Sequence, residues 1–136
     1  MARALLLLLG WLTAFPAVAS SSGWIDTNAA EKMAADMRQQ HMRLIGLDCR
    51  PDEASAGAER TSFLMEWEFN SDNRQWGWRE ATIPAVKGYK RDFAAKGFSL
   101  VIEKSFTMPS GKQRSCALWH RLVGKGPAAA PPPTHR

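Results

Sequence analysis

The stretch from Gly88 to His120 largely repeats a pattern that occurs earlier in the chain. Displaced by about 56 positions, Tyr89 falls on Met33, Phe93 on Met37, Phe98 on Met42 and Leu100 on Leu44. Both copies then run through a polar loop into a short strand that ends in tryptophan, Trp67 and Trp119, and both open with a tryptophan, Trp24 and Trp78. A unit of about fifty residues used twice restricts the fold sharply. Each copy has to be one supersecondary motif whose apolar face the other helps to cover. The expected domain spans residues 20–122, with the two units at 24–69 and 76–122.

The flanking segments read differently. Residues 1–19 have the form of a secretory signal: Arg3 supplies a positive charge, Ala4 to Ala14 is almost wholly apolar, and Ala17-Val18-Ala19 is a small-x-small cleavage pattern. That apolar run is shorter than the roughly 20 residues a bilayer span requires, and no later run is apolar enough to span a membrane. Residues 123–136, with Ala128-Ala129-Ala130 and Pro131-Pro132-Pro133, read as a flexible tail. The expected product is exported, periplasmic or secreted. Cleavage leaves about 117 residues, enough for one domain with a modest core. Losing Arg3 lowers the net charge from +5 to +4. Lysine and arginine alternate with acids along the chain rather than clustering, which argues against a nucleic-acid surface.

Two cysteines, Cys49 and Cys116, remain after cleavage. An even count in an exported chain predicts a disulfide, here closing a loop of about 67 residues and adding on the order of 3–4 kcal/mol in the loop-entropy description.

Local patterns predict the elements. Asp26-Thr27-Asn28 offers three helix caps, and Asn28 with Glu31 has capping-box spacing. Ala29, Ala30, Met33, Ala34 and Met37 then mark one helical face ending near His41. Met42 to Cys49 and the alternating Thr61 to Phe69 predict strands. In the second unit Thr82 is the candidate cap, with Pro84 in the first turn. Val86, Tyr89, Phe93 and Ala94 form the apolar helical face, and Gly97 stands where a helix terminus favours positive φ. Strands follow from Phe98 and over Arg114 to Leu122, joined by a turn at residues 109–111. The expected fold is α+β: two helix–strand–strand repeats forming one largely antiparallel four-stranded sheet with helices on one face. Strict alternation then puts Met42 and Leu44 on one face and Ile45, Leu47 and Cys49 on the other, with both cysteines on the side away from the helices.

The second unit also has a family resemblance. Tyr89 and Phe93 spaced by four, then Ala94-Ala95-Lys96-Gly97-Phe98-Ser99-Leu100-Val101, then Ser115-Cys116-Ala117-Leu118-Trp119, resemble the bacterial tandem repeat unit of polyglycine hydrolases. The first unit departs from it, with methionines in place of the aromatics, His41 in place of the glycine and a longer loop. In that family the repeats resemble an accessory binding region beside a separate serine-type catalytic domain. This chain has no serine followed three places on by lysine, so the resemblance implies the repeat without that activity.

Catalytic signatures are weak. Cys116 and His120 share a strand face but lie about 13 Å apart at strand rise, and a disulfide consumes the thiol. Glu66 and Glu68 read as a solvated strand face, and Lys87, Lys90, Arg91 and Lys96 as the wet side of the second helix. Three histidines, one of them in the tail, do not make a zinc site. No catalytic residue, metal or cofactor is therefore expected. Trp24, Trp67 and Trp119 are expected in the core. Trp76 and Trp78 beside Arg74 and Arg79 can either stack on a ligand or bridge the repeats. Ile45, Leu47 and Val101, with Leu64 and Leu118, form an apolar sheet face open to a partner or to self-association. The expected function is a small exported non-catalytic module binding a protein, peptide or glycan. The alternatives are a hydrolase with an unrecognised site and a purely structural envelope protein.

Overall fold

The structure, a computed structural model, describes residues 19–54 and 59–123. The expected tail apart from Val123, the expected signal apart from Ala19, and residues 55–58 lie outside the described residues. Eight elements follow in order: β1 (Ser20–Asp26), α1 (Thr27–Gln39), β2 (Met42–Pro51), β3 (Thr61–Phe69), β4 (Gln75–Thr82), α2 (Ile83–Ala95), β5 (Ser99–Thr107) and β6 (Gln113–Arg121). Strand–helix–strand–strand thus runs through both halves.

The strands form two three-stranded antiparallel sheets, β1-β3-β2 and β4-β6-β5, rather than the expected single four-stranded sheet. Local pattern did not reveal β1 and β4. Ser20 to Gly23 is small and polar, and Gly77 interrupts the Trp76–Trp78 stretch. Both segments are strands because β3 and β6 present edges for them to pair with, a long-range cause that composition does not carry.

Both helices start at a candidate cap residue, but Asn28 lies inside α1 rather than capping it and the Thr82 side chain makes no cap hydrogen bond in α2. The Asp26 carboxylate accepts from the Ala29 N–H at 2.8 Å, so Asp26 caps α1. Thr82 occupies the cap of α2 with extended backbone and Pro84 follows in the first turn. Ala30 and Ala34 of α1 are buried, with Met33 and Met37 packed beside them. Val86 of α2 is buried with Tyr89 and Phe93 against it, while Ala94 is exposed.

Leu44, Leu47, Cys49, Phe63, Met65 and Trp67 of the first sheet are buried in one cluster with Ala30 and Ala34 of α1 and with Trp76, Cys116 and Leu118 of the second sheet. The inner face of the first sheet is thus shared between α1 and the second sheet. Full burial of such side chains stabilises by about 1.5–3 kcal/mol each. The second sheet uses both faces: Cys116 and Leu118 turn to the first sheet, while Ala117 and Trp119 turn to α2. Phe93 stacks on Trp119 with centroids 4.2 Å apart, and Phe98 meets Phe93 edge-on. Trp67 and Trp119 are core residues as expected. Trp24 is not: it pairs across from Leu64, is 38% exposed, and has the Arg50 guanidinium 3.9 Å above its ring.

The predicted disulfide is present, Cys49 to Cys116 with Cα atoms 6.3 Å apart, but the faces differ from the expectation. In β2 the pairing passes from Leu44↔Trp67 to Gly46↔Glu66, so Ile45 is an extra residue. This bulge returns Leu47 and Cys49 to the side of Leu44, the side that bears α1. The cysteines meet because the helix-bearing face of the first sheet packs on the helix-free face of the second. A buried disulfide of this kind suits an oxidising compartment. No helix among the described residues is long and apolar enough to cross a membrane.

Candidate functional site

The two halves meet along a seam with α1 on one side and β4 on the other, and nowhere do the Cα atoms of these elements come within 8 Å. The gap holds a groove of about 360 Å3 lined by Thr27, Glu31, Ala34, Ala35 and Arg38 from α1, Phe63 from β3, and Trp78, Arg79 and Glu80 from β4. The α1 residues recur at helical spacing, so one helical stripe forms a whole wall.

Two cations dominate the groove. The Arg38 guanidinium lies 3.9 Å from the centre of the Trp76 ring and donates to the Trp76 carbonyl at 3.2 Å. Arg79 donates to the Trp78 carbonyl at 2.7 Å and lies near the Phe93 and Tyr89 rings. Among the described residues neither forms an ion pair. Partial burial lowers the Arg38 pKa from its ordinary value, and the like charge of Arg79 lowers it further. Of the two acids in the groove, Glu80 is taken by Arg114 and Thr61, the first a bidentate pairing that raises the Arg114 pKa. Glu31 stands two turns from Arg38, about 10 Å along the helix.

Arg38 also lines a second concavity of about 370 Å3 with His41, Met42, Asn70, Asn73, Arg74, Gln75, Trp76 and Phe98, none of them acidic. Its floor is held by the β3–β4 turn. The Asn70 side chain donates to the Arg74 carbonyl and accepts the Arg74 N–H, and Asn73 takes φ 55°. Arg74 pairs with Asp72 at 2.8 Å, and its Nε is buried without a hydrogen-bond partner.

The four polar and aromatic candidates are thus brought to the seam, in two different roles. Trp76 is 8% exposed and meets Trp67 edge-on at 5.4 Å, and Trp78 meets Phe63 at 5.3 Å. Both bridge the two sheets, and Trp78 keeps part of its surface in the groove. Arg74 and Arg79 line separate concavities. The apolar candidates are not gathered: Leu47 is in the core, Ile45 is half-buried at its bulge, and Val101 is exposed at another. Leu118, expected beside them, is fully buried between the sheets. Arg38 was missed because on a helical wheel it reads as a solvated position. Its only sequence signal is its place one turn beyond Ala34, on the buried stripe.

His120 lines neither concavity. It is buried and its Nε2–H donates to the Leu44 carbonyl at 2.7 Å. Among the described residues no group of His, Cys, Asp and Glu is arranged to hold a metal ion. Comparison with known family models, curated proteins and solved structures finds no match to this chain.

Proposed function

We propose that this protein is a small exported binding module that takes an acidic ligand in the seam between its halves. The observation that carries the reading is the pair Arg38 and Arg79: two guanidinium groups within electrostatic reach of each other, without carboxylate partners among the described residues, at the mouth of a groove floored by aromatics. Holding two like charges together is unfavourable until an anion joins them, and a carboxylate between two guanidiniums makes the strong charge-assisted hydrogen bonds that such pairs favour. Export is supported by the signal-like residues 1–19 and by the buried disulfide. The likeness to the repeat of polyglycine hydrolases rests on the residues from Tyr89 to Trp119 in the second half alone.

The test is calorimetric titration at low salt with two acidic probes, a glutamate-rich peptide and a polyuronate, against the wild-type protein and an R38Q/R79Q variant. Binding by the wild type that is lost in the variant, with the melting temperature nearly unchanged, supports the reading. Failure of both probes to bind, or equal binding by the two proteins, rejects it.

A further inference from the structure

We infer that the ligand of this seam is an extended peptide segment that pairs with the free edge of β4 and carries two adjacent acidic residues. This rests on the proposed acidic-ligand site and names its occupant.

β4 is an outer strand, bonded to β6 alone. In a strand the N–H and C=O of one residue point to the same edge, and alternate residues share that edge. The Trp76 and Trp78 carbonyls both accept from guanidinium groups, which approach from outside the β4–β6 pair. Trp76, Trp78 and, by alternation, Glu80 therefore turn their main-chain groups away from β6. No backbone hydrogen bond from another segment of the described residues reaches this edge. An unpaired edge is a template for one more strand, and a strand added between an edge and a flanking helix is an established mode of peptide capture. The space is present, because α1 stands off from β4 beyond 8 Å and the groove opens between them.

The charges define what that strand carries. Arg38 comes from α1, on the side facing the first sheet, and stacks on Trp76. Arg79 comes from the α2 side, where it lies near Tyr89 and Phe93. The two guanidiniums thus approach the same edge from opposite faces of the sheet. Successive side chains of an added strand also point to opposite faces, so two consecutive acidic residues would meet one guanidinium each. As the peptide pairs, each guanidinium exchanges a neutral carbonyl for a carboxylate, and the carbonyls it leaves accept the N–H groups of the incoming strand. Residues 1–19 and 122–136 contain no aspartate or glutamate, so neither of these stretches is the acidic partner.

The probe is a peptide of 8 residues, the length of β4, with a central Glu-Glu pair flanked by valine and threonine. It is compared with two N-methylated forms, blocked at alternate amides in opposite frames, and with a polyuronate. The full chain is used throughout. The expected result is peptide binding that slows amide hydrogen exchange at Trp78 and Glu80. Methylation in one frame should weaken binding by about tenfold or more, the equivalent of one or two main-chain hydrogen bonds, and methylation in the other frame should have little effect. An R79Q variant, altered at an exposed side chain, should bind more weakly with exchange elsewhere unchanged. Equal effects of the two frames, or polyuronate binding as tightly as the peptide through the same arginines, would overturn strand pairing while leaving the acidic-ligand site standing. Absence of binding by every acidic probe would remove both.

Discussion

His41 and Gly97 occupy the same turn of the two halves, each just past its helix, and share the left-handed backbone conformation with φ 60° and 82°. Glycine adopts this conformation without steric cost, whereas a side chain at positive φ costs about 1–2 kcal/mol. Gly97→Ala is therefore expected to destabilise the protein by about 1 kcal/mol, and His41→Gly to stabilise it or leave it unchanged once the His41–Phe69 ring contact is lost. Urea unfolding of the two variants checks both signs. A stabilising Gly97→Ala would show that the turn does not require the left-handed geometry.

The disulfide joins β2 of one sheet to β6 of the other across 67 residues of chain. Replacing both cysteines with alanine is expected to cost about 4 kcal/mol by loop closure. Cys49 and Cys116 are also nearly inaccessible. Reduction of the native protein should accordingly keep pace with unfolding rather than with reductant concentration. Thiol-trapping rates at several dithiothreitol concentrations would show this, and a rate rising in proportion to reductant would contradict it.

His120 is expected to make folding sensitive to mild acid. Burial lowers its pKa below the ordinary 6.5; the bond to the Leu44 carbonyl and the charge of Asp72 oppose that shift, while Arg74 and Arg43 add to it. Below its ordinary pKa the unfolded chain binds the proton more readily than the folded one, so this residue's contribution to stability is full above about pH 6.5 and is lost as the pH falls further. Stability measured from pH 8 to pH 5 should show a decline below 6.5 that is smaller in His120→Gln. The same decline in both proteins would assign it to other groups.

Gly77 sits directly under Phe93, and a Cβ added there would meet the ring at 2.8 Å. The ring cannot withdraw easily because it is stacked on Trp119. Gly77→Ala should therefore cost about 1–3 kcal/mol, as overpacking does. Gly111→Ala provides a contrast, since its Cβ meets nothing and any cost comes from φ alone. Thermal melts of the two variants and of Gly77→Ala/Phe93→Leu decide the matter. Recovery of stability in the double variant is the expected sign that the ring is the obstacle.

Helices, caps and four of the six strands were legible in the sequence, because each leaves a local mark: Asp26 before an alanine stripe, Pro84 in a first turn, Thr61 to Phe69 in strict alternation. The faces of the strands were less so. Ile45 and Val101 are the extra residues of two bulges, 56 positions apart, and each shifts the alternation of its strand by one. Apolar residues counted by twos therefore appeared to form a bare face of Ile45, Leu47 and Val101, whereas Leu47 is in the core. The seam was half legible. Trp76, Trp78, Arg74 and Arg79 cluster in sequence, but Arg38 joins them only because α1 lies across from β4.

Sequence alone determined the content of each half, the two helical faces, the cysteine pair and the turn that favours left-handed backbone, since all of these depend on neighbours a few positions apart or on composition. Tertiary structure decided how the strands divide into sheets, which face each cysteine takes and what faces the β4 edge. Those depend on hydrogen bonds between distant strands, where one inserted residue reverses every side chain beyond it. The recurring strand–helix–strand–strand order marks out the units. How the units stack, and hence the groove between them, is set by the meeting of Trp67 with Trp76, Phe63 with Trp78 and Cys49 with Cys116.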